Sequence, residues 1–120
     1  MQYLLLFNKD EAKFRALSEE QRAEVRARYE AYGRRIVGSS IYLAGAALQP
    51  TDTATTVRVR EGRRLITDGP FAETAEQIAG IALIDVPDLD TALEWAATHP
   101  DAEWASVEVR PVIEWEPPAA

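Results

Sequence analysis

The chain has 120 residues, 47% of them hydrophobic, with a formal net charge of −7 and no cysteine. That length and apolar content suit one domain, expected over residues 1–115 with a frayed tail at 116–120. The missing cysteines exclude disulfides, thiolate nucleophiles and cysteine metal sites and fit a cytoplasmic setting, while the acidic balance repels polyanions and disfavours nucleic acid as a partner.

The opening Met1-Gln2-Tyr3-Leu4-Leu5-Leu6-Phe7-Asn8-Lys9 lacks a basic leader and a small-residue cleavage site, so no signal peptide is expected. Its apolar run Gln2 to Phe7 has the length of a buried strand. No run approaches the roughly 18 apolar residues of a bilayer span, so no membrane contact is expected. Asp10 to Leu17 reads as an irregular or one-turn link. Ser18-Glu19-Glu20-Gln21 matches a capping box and starts the clearest helix. Val25, Tyr29, Tyr32 and Ile36 draw one apolar stripe along it, and Gly38 is the expected left-handed stop. Arg34–Arg35 in its last turn and Arg63–Arg64 further on read as solvated faces.

Ile41 to Leu48 reads as a second strand. Val57 and Val59 alternate with Arg58 and Arg60, Glu61-Gly62 supplies a two-residue turn, and Arg63 to Thr67 returns as the other arm of a hairpin. Phe71 to Gln77 is polar, with room for one helical turn. Ile78 to Val86 is an apolar strand whose Gly80 marks a bulge or a close backbone approach. Asp88 caps a second helix, with Leu89, Ala92, Leu93, Ala96 and Ala97 as its inner face and His99-Pro100 at its end. Ala105 to Val112 is the last strand. The order β-α-β, hairpin, β-α-β describes an α+β ferredoxin-like split βαβ sheet with an added hairpin. Helices cover one face of such a sheet. A second copy packed on the other, as a homodimer, is the simplest cover.

Asp68 ends a strand before Gly69-Pro70. A carboxylate held rigidly at a pocket mouth serves as general acid or base, and the competing reading is an Asx-type turn capping backbone amides. Glu73 and Glu76 are three apart, either a ligand-binding pair or a solvated face, with no third group to complete a metal site. Phe71 lines a pocket or plugs a dimer core. His99 reads as a protonated cap at a helix C-terminus. Tyr29 and Tyr32 read as core, and among Trp95, Trp104 and Trp115 at least one suits a dimer contact. Neither a phosphate-cradling glycine loop nor a Ser-His-Asp set stands out, and no cofactor is expected.

The stretch Thr67-Asp68-Gly69-Pro70-Phe71-Ala72-Glu73-Thr74 resembles the signature of the DGPF family, a branch of the YCII-related proteins. Tyr3-Leu4-Leu5-Leu6, Leu17-Ser18-Glu19-Glu20, Ala54-Thr55-Thr56-Val57-Arg58, Asp85-Val86-Pro87-Asp88-Leu89-Asp90 and Val107-Glu108-Val109-Arg110-Pro111 resemble further family segments, in order, over nearly the whole chain. Ala75 stands where the family has a lysine, and Ala79-Gly80-Ile81 stands for a Gly-Gly-aromatic pattern. The resemblance implies a bacterial, cytoplasmic dimeric α/β barrel, a fold that hosts isomerases, dehydrochlorinases and monooxygenases without transferring any of these activities. It also implies gene neighbourhoods with extracytoplasmic-function sigma factors. YCII-related relatives are thought to use a His–Asp pair. His99, late in the chain, does not match that motif, and the pair is not carried over. Three functions follow as expectations: a small-molecule-binding or sensory dimer associated with a sigma factor; a cofactor-free enzyme using Asp68 on a small organic acid or aromatic; or a structural, partner-docking dimer.

Overall fold

The computed structural model describes residues 1–115. The expected frayed tail lies outside them. In chain order the elements are β1 (Gln2–Lys9), α1 (Glu11–Ala16), α2 (Glu19–Val37), β2 (Tyr42–Ala47), a 3-10 turn (Thr51–Thr53), β3 (Thr55–Arg60), β4 (Arg63–Asp68), β5 (Gln77–Asp85), α3 (Leu89–Ala97), α4 (Asp101–Trp104) and β6 (Ser106–Pro111). Four strands form an antiparallel sheet in the order β2-β5-β1-β6, and β3 and β4 pair separately as a hairpin. With the hairpin set aside, this is the ferredoxin-like order.

Period-two alternation decides which way each strand faces. Tyr3, Leu5 and Phe7 of β1 and Ala82 and Ile84 of β5 point to the helices and are buried with Tyr32 and Ile36 of α2 and Ala92 and Ala96 of α3. Ala92 and Ala96 bring α3 close to the sheet. Leu89 and Leu93, expected on the same inner face, are instead about half exposed on its flank. Leu4, Leu6, Ile81 and Leu83 occupy the opposite sheet face, where the register sets Leu4 beside Leu83 and Leu6 beside Ile81.

Local chemistry fixes the element ends. Ser18 Oγ accepts from the Gln21 amide at 3.1 Å and Gln21 Oε1 accepts from the Ser18 amide at 2.9 Å, the reciprocal cap expected for α2. Asp88 accepts from the Thr91 amide at 2.8 Å. Asp10 does the same for Lys13 at 3.1 Å, so residues 11–16 form a six-residue helix rather than a link. Gly38 ends α2 in a right-handed conformation, φ −76°, and not as a left-handed stop, because its amide reaches back to Arg34. Glu61 and Gly62 take positive φ in the hairpin turn. Phe71 to Glu76 holds no helix. Ala79 is the extra residue where the β1–β5 register shifts, and a Cβ on neighbouring Gly80 would lie 3.1 Å from Ala46 O, the expected close approach.

The hairpin β3–β4 stands away from the sheet. The radius of gyration is 16.8 Å, against roughly 14 Å for a compact chain of this length. Val57, Val59 and Ile66 lie on one hairpin face, each more than half exposed. Among the described residues no helix is long and apolar enough to cross a membrane.

Candidate functional site

The chain between α3 and α4 reads His99-Pro100-Asp101. This short turn carries the two buried polar residues of the core, His99 at 8% exposure and Asp101 at 1%. His99 lies flat on Phe7 of β1, centroids 4.0 Å apart at 19°, with Tyr32 of α2 edge-on at 4.7 Å. The Asp101 amide donates to His99 Nδ1 at 3.0 Å, which places the imidazole proton on Nε2. Nε2 has no protein partner among the described residues and is not sealed from solvent, so it opens to the cavity that His99 lines. The Asp101 carboxylate lies 3.7 Å from Nδ1, but Nδ1 already accepts a proton from the backbone, so this contact is no hydrogen bond.

Asp101 Oδ1 accepts from the Tyr29 hydroxyl and from Trp104 Nε1, the latter at 3.1 Å. Burial raises the Asp101 pKa, opposed by these two donors and by the positive charge of Lys9. Burial, aided by Lys9, lowers the His99 pKa to about 4 and keeps the ring neutral at pH 7. This corrects the reading of His99 as a charged helix cap: desolvation among aromatic rings outweighs the small gain from the helix dipole. Burial likewise raises the Tyr29 and Tyr32 hydroxyls, and Tyr32 donates to Trp95 O at 2.8 Å.

Above the His99 turn is a cavity of about 320 Å³ between α2 and the sheet. Ile36, Tyr42, Ala47 and Ala82 give apolar walls, while Lys9, His99 and Asp101 gather at one end. Gly33 of α2 opens on it, with no atom within 4 Å of where a Cβ would stand. The arrangement offers an imidazole N–H donor, a shielded carboxylate and an ammonium group beside a cleft of small-molecule size.

The residues singled out from the sequence are dispersed. Asp68 is exposed at the end of β4, outside the cavity lining, and its carboxylate accepts no hydrogen bond among the described residues. The turn after it is held by the backbone instead. Gly69, φ 99°, donates to Ala54 O at 2.7 Å, and Thr56 Oγ1 donates to Gly69 O at 2.8 Å. Phe71 is 80% exposed. Glu73 lines a separate open depression with Arg15, Thr51 and Thr74. Glu76 alone approaches the buried turn: it accepts from Ser106 Oγ at 2.5 Å, and its negative charge helps to raise the Asp101 pKa. No cluster of three or more acidic or histidine side chains is set to hold a metal among the described residues.

Sequence reasoning does not pair His99 with Asp101. The sequence does carry a signal, a lone histidine two residues before an aspartate across a proline at a helix end. Their burial depends on Phe7 and Tyr29, about 90 and 70 positions away along the chain, which local reading does not bring together.

The sequence matches the family model of the YCII-related domain over residues 1–116. It is 37% identical over 119 residues to an uncharacterised protein of Rhizobium meliloti (strain 1021), covering 98% of this chain and 96% of that protein.

Proposed function

Because this chain belongs to the YCII-related domain family, we propose on the geometry of its buried turn that it is a small-molecule-binding homodimer. The observation that carries the reading is the His99–Asp101 turn at the polar end of an apolar cavity of about 320 Å³. A neutral imidazole N–H and the Lys9 ammonium suit an oxygen-bearing head group, and the aliphatic and aromatic walls suit a small apolar body. The ligand class is therefore a small organic acid or aromatic.

Gly33 provides the test, because it lines the cavity and a Cβ there meets no atom within 4 Å, so a side chain extends into the space. Gly33→Leu also replaces a glycine inside a helix, so it is expected to be roughly 1 kcal/mol more stable than wild type. In a thermal-shift assay, benzoate or phenol at 100 times its dissociation constant is expected to add about 2.7 kcal/mol to wild type and nothing to Gly33→Leu. An equal shift in both proteins would remove the cavity from consideration.

The homodimer reading is supported by two uncovered apolar surfaces, the sheet face of Leu4, Leu6, Ile81 and Leu83 and the hairpin face of Val57, Val59 and Ile66. An isolated two-stranded hairpin is marginal in water and needs something to pack on. Light scattering at micromolar concentration is expected to give twice the 13.3 kDa chain mass; a monomeric mass would end the dimer reading. Asp68 sits on this hairpin, so the proton-transfer role expected of it requires a ligand held by a second copy.

A further inference from the structure

A second groove, of about 230 Å³, lies beside the His99 cavity and shares Lys9, Leu48 and Ala79 with it. Lys9 at the end of β1, Arg15 of α1, and Arg22 and Arg26 of α2 all line this groove, against a single carboxylate, Glu11. Glu11 is already engaged, accepting from the Thr51 amide at 2.9 Å and from the Thr51 hydroxyl. Arg22 and Arg26, one helical turn apart, form no ion pair among the described residues. Arg15 meets only Asp52, at 3.7 Å, with both side chains more than half exposed, a contact of little energetic weight. Four cations thus converge on one groove of a chain whose net charge is −7. Uncompensated charge of one sign in a cleft focuses the field there and concentrates counter-ions. Lys9 stands at the junction, its Nζ 4.2 Å from the Phe14 ring centroid and 5.1 Å from that of Tyr29, held by the faces of both rings.

We propose that this groove is an anion subsite, in which Arg15, Arg22 and Arg26 hold the carboxylate or phosphate of a small organic anion. The body of that molecule passes Lys9 into the cavity above His99. The subsite rests on the reading of that cavity as a small-molecule site and narrows its ligand from acids and aromatics at large to molecules with an oxyanion beyond the apolar body. Guanidinium groups suit both oxyanions, since their paired N–H donors match carboxylate and phosphate alike.

Calorimetric titration at low ionic strength tests this with phenol, benzoate, phenyl phosphate and inorganic phosphate, on wild type, Arg22→Gln/Arg26→Gln and Gly33→Leu. Arg26 is exposed, Arg22 is partly buried and neither belongs to the core, so the double variant leaves the core intact. Wild type is expected to bind benzoate or phenyl phosphate roughly tenfold or more tightly than phenol, and the double variant to lose that preference while binding phenol unchanged. The stronger of the two anions identifies the head group. Equal anion affinity in wild type and double variant overturns the subsite, as does failure of every anion to bind. Phosphate binding that the double variant loses and Gly33→Leu keeps, with no phenol binding in any protein, would leave the subsite standing and remove the cavity reading instead.

Discussion

Between pH 6.5 and about 4 the protein is expected to lose about 3 kcal/mol of folding stability through His99 alone. The unfolded imidazole binds its proton near pH 6.5, whereas the buried ring resists protonation until about pH 4. In that window the unfolded state holds more protons, so stability is fully present above pH 6.5 and falls as the pH falls. Burial between Phe7 and Tyr32, which strips water from the ring, and the nearby Lys9 ammonium disfavour imidazolium. Asp101 works in the opposite sense. Its raised pKa makes its contribution largest below 3.8 and diminishes it as the pH rises through the folded value, so it offsets part of the loss in the lower end of the window. The measurement is urea unfolding of wild type and His99→Gln at intervals across this range. The two stability curves should converge toward pH 4. Curves that stay parallel would mean that the ring is not buried in its neutral form.

Replacing Asp101 with alanine is expected to cost about 3 kcal/mol at pH 7, a fall in Tm of roughly 10 °C. The carboxylate is 1% exposed and anchors two donors from different elements, the Tyr29 hydroxyl of α2 and the Trp104 indole N–H of α4. Alanine leaves both part-buried donors without their acceptor, and an unmade buried hydrogen bond carries a desolvation cost. Asparagine keeps an acceptor for one of them and removes a charge that burial disfavours, so Asp101→Asn is expected within about 1 kcal/mol of wild type. Thermal unfolding followed by near-ultraviolet circular dichroism reads both variants through Trp104. An alanine variant as stable as the asparagine one would show that the carboxylate anchors nothing.

The elements that could be read from the sequence are those whose cause is local. The Ser18–Gln21 box, the Asp88 cap, the Glu61-Gly62 turn and the Val57/Val59 alternation each follow from neighbouring residues, and the structure realises each. The ferredoxin-like order follows from their sequence and from the handedness rules of short connections. What escaped is non-local. Asp10 capping a six-residue helix was hidden because so short a segment has no apolar period to detect. Phe71 drew attention as an aromatic in a glycine-proline turn, yet its exposure depends on where the hairpin departs from the sheet. His99 looked like a surface cap until Phe7 and Tyr32 were set against it.

The position of β1 bears on how the protein is made. This first strand lies in the middle of the sheet, between β5 and β6, whose last residue is Pro111. A ribosome adding about 5–20 residues each second therefore releases Tyr3, Leu5 and Phe7 roughly 5–20 s before both of their neighbours exist. During synthesis this strand of the core has no permanent place to go. Helix α2 and the hairpin, whose contacts are close in sequence, form and reopen on the microsecond timescale while the sheet is incomplete. Through that interval the nascent chain has not yet made the strands that shield β1 in the finished sheet.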